Sequence, residues 1–305
     1  MKVRYCDYIF YCSKTRSNGW VADESRYRLI NGFYAIDYQV HSIRSHDGLA
    51  TIDEQCEQAL IIGLDEIGFT EHKDFDPEDP VVDHFDYAKY SDEIDSARQK
   101  FGDRLVIRKG VEIDYQKWFE EDIREYLAVH AFDYVLGSVH YTDRKMLMTD
   151  EYLVGRSMEE AYRTYYQSVL ESVESGLIDI VGHLEYANRR GVPAFGPFDP
   201  TPYFDILTEI FVQMRNRDIV LEINTAGLRQ GVGYTYPCEA TIELFARCGG
   251  RIISIGSDSH HSRDLGADYA IAAELARKCG INDLALWDNR NMTIQPLTPA
   301  KELPL

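Results

Sequence analysis

The sequence lacks several features that mark specialised classes of protein. No apolar run reaches about 18 residues, so we expect no membrane-spanning helix and no membrane partner. The N-terminal segment MKVRYCDYIFYCSK lacks the charged-then-apolar layout and the small-residue cleavage site of a secretory signal peptide. No internal repeat or low-complexity segment is visible. With 305 residues, 45% of them hydrophobic, the chain can bury one large core, and a single barrel domain of this size is ordinary.

Cysteine is scarce, and its spacing excludes the common cysteine motifs. None of the six cysteines belongs to a CxxC pair. Scattered thiols in a chain of this size indicate reduced, buried cysteines in a cytoplasmic protein. A pair between the first two, if their strand folded back on itself, is the alternative. The six are Cys6, Cys12, Cys56, Cys238, Cys248 and Cys279.

Positive charge is also scarce. The chain has 32 lysines and arginines against 51 aspartates and glutamates, and it contains no dense Lys/Arg run. The formal net charge is -19. Nucleic-acid binders normally present a basic face, so we expect no nucleic-acid partner. A small anionic substrate is compatible with this charge if metal ions and a few arginines reverse the field locally. Part of the acidic excess is therefore expected to be metal ligands.

From residue 36 onward, short β-rich runs alternate with stretches of helical periodicity. The predicted strands are 36–41, 66–70, 105–113, 133–139, 178–182, 218–223 and 251–257. The predicted helices are 51–63, 83–101, 116–128, 157–176, 202–216, 237–248 and 267–279. Thr51 with Glu54 predicts a capping box at the start of the first helix, as does Ser157 with Glu160 in the fourth. Seven alternating units predict a parallel sheet with right-handed crossovers.

Candidate metal ligands favour a closed barrel over an open sheet. An open doubly wound sheet gathers its site at one switch point, whereas a barrel collects side chains from every strand end. The candidates follow strands 1 to 5 and strand 7: His41 and Asp47, His72, Glu112, His140, His183, and Asp258 with His260. The sequence therefore predicts an α/β fold, a distorted (β/α)7 TIM-like barrel with a metal site at the carboxyl-terminal ends of the strands.

Two domain assignments follow from this pattern. Residues 36–305 form the barrel domain. Residues 1–35 lie outside the alternation, and Asn31-Gly32 is a hairpin turn signal. We therefore expect residues 1–35 to form an N-terminal extension, a β-hairpin packed on the barrel.

The candidate ligands are imidazoles and carboxylates. Such a mixed set without thiolate suits two to three divalent ions of Zn, Mn or Fe, and the ligand types do not choose among these metals. Clustered divalent ions usually serve hydrolysis, because they activate water near neutral pH and neutralise charge on the substrate.

Seven motifs in order carry a family resemblance. They are DYQVHSIRSHDG, FTEH, GVEID, GSVH, VGHLE, EINTAGLR and GSDSH. Together they resemble the PHP (polymerase and histidinol phosphatase) family of metal-dependent phosphoesterases over roughly residues 36–265. Within that family, GSVH and EINTAGLR are most similar to the stand-alone histidinol-phosphate phosphatases. The resemblance implies hydrolysis of a small phosphate monoester, with L-histidinol phosphate as the leading substrate. The alternatives are another phosphoester, such as a sugar phosphate, a cyclic phosphodiester or phosphotyrosine, or a metal-binding protein without catalysis.

The resemblance also assigns residue roles by position. Glu112 would bridge two ions, and Glu112, Asp258 and His72 would carry catalysis. The nine implied metal ligands are Gln39, His41 and Asp258 at the first ion, His140 and His183 at the second, Asp47, His72 and His260 at the third, and the bridging Glu112.

The first metal position departs from the family pattern. That pattern begins Asp-x-His-x-His, and this chain reads Asp37-Tyr38-Gln39-Val40-His41. A neutral amide oxygen is a weaker ligand for zinc than an imidazole, so we expect a weaker first ion or a preference for a harder metal such as Mn. The same departure motivates the non-catalytic alternative. His46 is an alternative to the adjacent Asp47 at the third ion.

Three arginines are candidates for binding the substrate phosphate. Arg229 follows strand 6, the predicted strand that carries no metal ligand, so its loop is free to reach the substrate. Arg189 or Arg190, after His183, lies in the next best loop. Arginine suits phosphate because its planar fork binds two oxygens. The alternative for each is an ion pair on the surface of an acidic protein.

Overall fold

The structure, a computed structural model, describes residues 34–297. The hairpin expected over residues 1–35 and the possible pair of Cys6 with Cys12 lie outside the described residues. Within them, Cys56, Cys238, Cys248 and Cys279 are free thiols. Over the same range, no helix is both long and apolar enough to cross a membrane.

Strands and helices alternate along most of the described chain. The strands are β1 (Ile36–Val40), β2 (Glu66–Phe69), β3 (His72–Lys73), β4 (Val106–Asp114), β5 (Tyr134–Ser138), β6 (Tyr141–Thr142), β7 (Lys145–Met146), β8 (Ile180–Val181), β9 (Val220–Asn224), β10 (Ile252–Gly256), β11 (Asp283–Asp288) and β12 (Asn291–Pro296). The helices are α1 (Ile52–Ile62), α2 (Tyr87–Phe101), α3 (Glu120–Val129), α4 (Asp150–Leu153), α5 (Met158–Ser175), α6 (Asn188–Phe195), α7 (Phe204–Asn216), α8 (Glu239–Arg247) and α9 (Tyr269–Lys278).

The main sheet confirms the predicted distorted barrel. Its order is β1-β2-β4-β5-β8-β9-β10-β11-β12, with β3 paired to β4, and the seven predicted strands correspond to β1, β2, β4, β5, β8, β9 and β10. All neighbours are parallel except β11 and β12. The first strand meets the chain just after β10 through a bridge between Val40 and Ser259, where His41 N donates to Ser259 O at 2.8 Å. The end of β1 and the segment after β10 therefore meet at the carboxyl-terminal end of the strands.

Capping side chains determine where the helices begin. Thr51 and Ser157 each accept from a backbone N–H three residues on, and Glu54 and Glu160 return the bond, so both capping boxes are confirmed. The second helix begins at Tyr87 rather than at residue 83, because the Asp86 side chain accepts from Lys89 N and sets the start there.

The hairpin of β11 and β12 was not predicted. It extends the sheet beyond β10, with β11 parallel to β10 and Asp288 paired with Asn291 across the turn. The two turn residues, Asn289 and Arg290, both have positive φ, 49° and 62°. Tight turns of this kind usually contain glycine. The absence of glycine here removed the signal that would have marked a hairpin.

Two tyrosine rings fill the barrel directly below the strand ends. Tyr134 on β5 stacks on Tyr38 of β1 with ring centroids 5.0 Å apart, and its hydroxyl donates to the Tyr38 carbonyl at 2.7 Å. A Cβ at Gly68 would lie 2.1 Å from the Tyr134 hydroxyl, and one at Gly110 would lie 2.6 Å from the ring. Glycine makes room for the ring at both positions. Glu112 follows Gly110 by two residues on the same strand face, so this layer supports the site.

Candidate metal centre

Strand register brings the predicted ligands to one edge of the barrel. His72 on β3 pairs directly with Glu112 on β4. The bridge from Val40 to Ser259 places His41 beside the segment that carries Asp258 and His260. Because the strands are parallel, the side chains that follow their carboxyl ends converge in one place.

Glu112 is the centre of this cluster. It is fully buried, and each of its oxygens faces two imidazoles. Glu112 Oε1 lies 2.9 Å from His183 Nε2 and 3.5 Å from His140 Nε2. Glu112 Oε2 lies 3.3 Å from His41 Nε2 and 3.2 Å from His72 Nδ1. A carboxylate divided in this way between two pairs of imidazoles has the geometry expected of a bridging ligand.

Two further carboxylates extend the cluster towards solvent. Asp258 Oδ1 lies 3.4 Å from His41 Nε2 and 3.6 Å from His260 Nδ1. Asp47 lies 3.7 Å from His72 Nε2 through one oxygen and 3.1 Å from His260 Nε2 through the other. Eight of the nine predicted ligands thus form one continuous group. Within it, the ligand atoms of His41, His72 and His260 lie within 4.8 Å of one another, as do those of His72, Glu112 and His140.

The electrostatics of the cluster suit metal ligation. Burial lowers the pKa of His72 to about 3 and that of His140 to about 4, so both rings are neutral with a free lone pair. Burial opposes the negative charge of Glu112, but the neighbouring imidazoles of His72, His183 and His41 outweigh it and hold the pKa of Glu112 well below its usual range. Neutral imidazole and ionised carboxylate are the protonation states that bind divalent cations. For His41, the carboxylates of Asp258 and Glu112 outweigh burial and raise the pKa, so a cation would displace a proton from this ring.

Two buried atoms test whether the residues fit a metal. Among the described residues, His41 Nε2 and Glu112 Oε2 have no hydrogen-bond partner, although they lie 3.3 Å apart in the interior. Buried polar atoms normally have a partner, because leaving one unsatisfied costs about 1–3 kcal/mol. A divalent cation between imidazole and carboxylate atoms would satisfy both, so the donor set fits such an ion.

A second layer of polar residues, not identified from the sequence, orients the ligands. Ser138 donates to Glu112 Oε1 at 2.5 Å. Asp114 lies 3.6 Å from His140 Nδ1 and accepts from His140 N at 2.6 Å. The buried Glu71 accepts from Ser45, whose hydroxyl lies 3.1 Å from His41 Nδ1. The period of two along a strand was the available signal for Asp114, because it shares the face of Glu112.

Gln39 is buried beside the cluster, and its amide is already engaged. Its Oε1 accepts from Asn224 Nδ2 at 2.6 Å. The orientation of Asn224 is set in turn by Ala226 N, which donates to Asn224 Oδ1 at 2.9 Å. Gln39 Nε2 has no partner among the described residues. The assignment of Gln39 as a metal ligand stays a prediction, and in this arrangement its oxygen is shared with Asn224.

Two cavities open onto the cluster. The metal-side cavity, about 660 Å³, is lined by six of the predicted ligands together with Tyr186, Arg189 and Arg229. The side cavity, about 330 Å³, has a mixed wall of apolar, aromatic and acidic residues that includes Asp74, Asp79, Tyr141 and Leu147. Arg189 lines both cavities, Arg229 lines the metal-side cavity, and Arg190 lines the side cavity.

Arg229, one of the three arginines predicted to bind phosphate, is held in place by several neighbours. Arg229 is half-buried, with Nη1 at 3.2 Å from Thr225 Oγ1 and 3.6 Å from Asp268, and it donates to the Ser257 carbonyl. These contacts fix it at the rim of the metal-side cavity.

His46, the alternative to Asp47, lies at the side cavity with Nε2 at 3.8 Å from the Asp47 carboxylate. The assignment of Arg229 to the substrate phosphate and that of His46 as an alternative metal ligand both stay predictions.

Comparison with known proteins places this geometry in a family. The model of the PHP domain matches residues 37–226. The histidinol-phosphatase of Lactococcus lactis subsp. lactis (strain IL1403) is 30% identical over 260 residues, covering 83% of this chain and 94% of that protein. The histidinol-phosphatase of Bacillus subtilis (strain 168) is 27% identical over 257 residues, covering 76% of this chain and 94% of that protein.

A solved structure gives the same result. Histidinol phosphate phosphatase from Lactococcus lactis, complexed with zinc, L-histidinol and phosphate, superimposes with a TM-score of 0.78 at 28% identity. The match covers 85% of this chain and 99% of that one. Motifs, fold and ligand cluster agree, and the chain belongs to the PHP-domain family.

Proposed function

We propose that this protein is a metal-dependent phosphatase that hydrolyses L-histidinol phosphate to L-histidinol and phosphate. The observation that carries the proposal is the buried Glu112, whose two oxygens each face two imidazoles. This cluster fits two to three divalent cations. Zinc is the first candidate, because the solved Lactococcus lactis enzyme holds it with histidinol and phosphate.

The residues of the site have different roles in the proposed reaction. Divalent cations bound there supply the charge that activates water and stabilises a phosphate in its transition state. Glu112 would hold the ions together, and Asp258 and His72, which lie near His41 and Glu112, would also bind them. Arg189 and Arg229 border the metal-side cavity and bind the phosphate oxygens, which lets a dianion enter an acidic protein.

The side cavity is the place for the alcohol. Tyr141 and Leu147 offer flat and apolar surface for a ring, and Asp74 and Asp79 contribute carboxylates to the same wall. Histidinol carries an amino group that is cationic at neutral pH. The carboxylates of this wall can accept hydrogen bonds from that amino group, which favours this alcohol over one without an amine.

The test is a phosphate-release panel on metal-reconstituted protein. Histidinol phosphate would be compared with sugar phosphates, phosphotyrosine and cyclic diesters at equal metal loading. We expect kcat/KM for histidinol phosphate to exceed that for every other ester by about 10-fold or more, the effect of one or two specific polar contacts. A higher value for another ester would contradict the proposed substrate, and no release from any ester would contradict phosphatase activity itself.

A further inference from the structure

Tyr186 lies where the metal-side cavity and the side cavity meet, and it lines both. Its ring packs against two imidazoles of the cluster, with centroids 4.7 Å from that of His183 and 5.2 Å from that of His140. Its hydroxyl accepts a hydrogen bond from Arg189 Nη1 at 2.7 Å. A single side chain therefore connects the candidate metal ligands to an arginine at the phosphate position.

The backbone that carries Tyr186 is fixed by buried contacts. Tyr186 N donates to His183 O at 2.8 Å, which closes a turn. The preceding residue, Glu185, is fully buried, and its carboxylate accepts from Cys238 N at 2.9 Å. Glu185 N lies 2.9 Å from the Tyr165 hydroxyl, which accepts from it. Because this turn is attached to α5 and to the start of α8, the Tyr186 ring does not depend on its hydroxyl for its place.

Arg189, by contrast, depends on local contacts for its direction. It is exposed and lies in the first turn of α6, where a long side chain has many rotamers. The hydrogen bond to Tyr186 restricts it, as does the tyrosine ring, whose centroid lies 5.7 Å from the guanidinium carbon. An arginine ordered before the substrate arrives loses less rotamer entropy on binding, which strengthens the bound state.

We propose that Tyr186 is a positioning residue that holds the Arg189 guanidinium towards the substrate phosphate. It acts through Arg189 and not on the substrate itself. The inference rests on the proposed function, because it takes a phosphate as the ligand of Arg189. The neighbouring Arg190 lines the side cavity alone, so the two adjacent arginines are expected to have different roles.

The test uses Tyr186→Phe, which keeps the ring against the imidazoles and removes the hydroxyl. We expect wild-type metal content, binding of inorganic phosphate about 5-fold weaker by calorimetry, and a rise in KM with a smaller change in kcat. In an Arg189→Ala background, the same substitution should change phosphate binding by less than about 2-fold, because the side chain to be positioned is gone.

Three results would overturn the proposal. Phosphate binding unchanged in Tyr186→Phe would show that the hydroxyl does not matter, and an equal loss in both backgrounds would show that it does not act through Arg189. A fall in metal content would show that Tyr186 acts through His183 and His140. The matched control is Tyr87→Phe, whose hydroxyl donates to Ala131 O at 3.0 Å away from the site, and it should bind phosphate as wild type.

The outcome is separable from that of the proposed function. Phosphate binding to metal-loaded protein is measured without turnover. If the wild-type protein binds phosphate but hydrolyses none of the esters, the proposed function is contradicted, and the comparison of Tyr186→Phe with its Arg189→Ala counterpart still decides the role of Tyr186.

Discussion

At the amino-terminal end of the barrel, buried carboxylates are paired with arginines, whereas at the carboxyl-terminal end the carboxylates of the ligand cluster face imidazoles. Three pairs occur at the first end: Glu66 with Arg108, Asp133 with Arg98, and Asp179 with Arg290. Glu66, for example, lies 2.9 Å from Arg108 Nε and also accepts from the Tyr34 and Tyr38 hydroxyls. The chain itself supplies the counter-charge at this end.

At the carboxyl-terminal end the counter-charge is incomplete. Among residues 34–297, the groups within ion-pair distance of Glu112 are four imidazoles, and neither lysine nor arginine is among them. One atom of Glu112 and one of His41 are left without hydrogen-bond partners. The same carboxylate chemistry therefore stabilises the fold at one end and is arranged to receive cations at the other. Substitutions at the two ends should separate stability from activity.

Removal of the metal is expected to have the largest effect. Protein purified from metal-supplemented medium should carry two to three divalent ions per chain by elemental analysis. Chelation should abolish phosphate release while leaving the far-ultraviolet circular dichroism spectrum intact, because the ion pairs at the amino-terminal end and the core do not involve the metal. The melting temperature should fall, since a ligand that binds only the folded state stabilises it. One ion or none per chain, or full turnover of metal-free protein, would contradict a multinuclear centre.

The next largest effect is expected from neutralising the bridging carboxylate. Glu112→Gln removes the charge that holds ions together, so activity should fall about 1000-fold or more, with a lower metal content. The matched change at the opposite end, Glu66→Gln, should lower the free energy of unfolding by about 2 kcal/mol through the lost charged hydrogen bond to Arg108. It should leave kcat/KM per folded molecule unchanged. Near-normal turnover in Glu112→Gln would place the chemistry elsewhere.

Arg229→Ala tests the substrate side of the same comparison. We expect full metal content and a loss of kcat/KM of about 10- to 1000-fold, the effect of a charge-assisted pair. Arg229→Lys should recover part of it, because a point charge cannot make the two-oxygen contact. Arg98→Ala, at the amino-terminal end, should lose stability with unchanged kcat/KM. Wild-type kcat/KM in Arg229→Ala would mean that its contacts with Ser257 and Asp268 are its whole role.

The sequence indicates the site best where the type of a residue and its place in the strand pattern both point to the same role. A histidine or carboxylate at or just after the end of a β-rich run marks both the end of a strand and a candidate ligand. The structure brings eight such residues together, and their role as metal ligands stays a prediction. Sequence reasoning did not predict β11 and β12, whose turn residues Asn289 and Arg290 adopt positive φ without glycine. The physical reason is that this turn is held by contacts with residues far away in the chain, since Asn289 N donates to Asp133 Oδ1 and Arg290 N donates to Asp133 O.

Contacts between residues far apart in the chain could not be predicted from patterns in the sequence. The hydrogen bond from Asn224 to Gln39 joins residues 185 apart in the chain, and the bond from Arg229 to the Ser257 carbonyl depends on how β9 and β10 lie side by side. Neither side-chain orientation follows from spacing. Ser138 and Asp114 are similar, because each is recognisable only once Glu112 is known to be the centre.

The smallest effect is expected at Gln39. With its oxygen bonded to Asn224, the amide is at most a weak ligand, and Gln39→His would place an imidazole beside His41 on the same strand face. We expect phosphate release to be retained, and the chelator concentration that halves activity to rise about 10-fold, equivalent to about 1.4 kcal/mol of metal affinity. Gln213→His, at a partly exposed position on α7, controls for the added histidine and should give the wild-type chelator profile. Identical chelator profiles for Gln39→His and wild type, at equal metal content, would show that position 39 does not contact the metal, and the first ion would then be held by His41, Glu112 and Asp258.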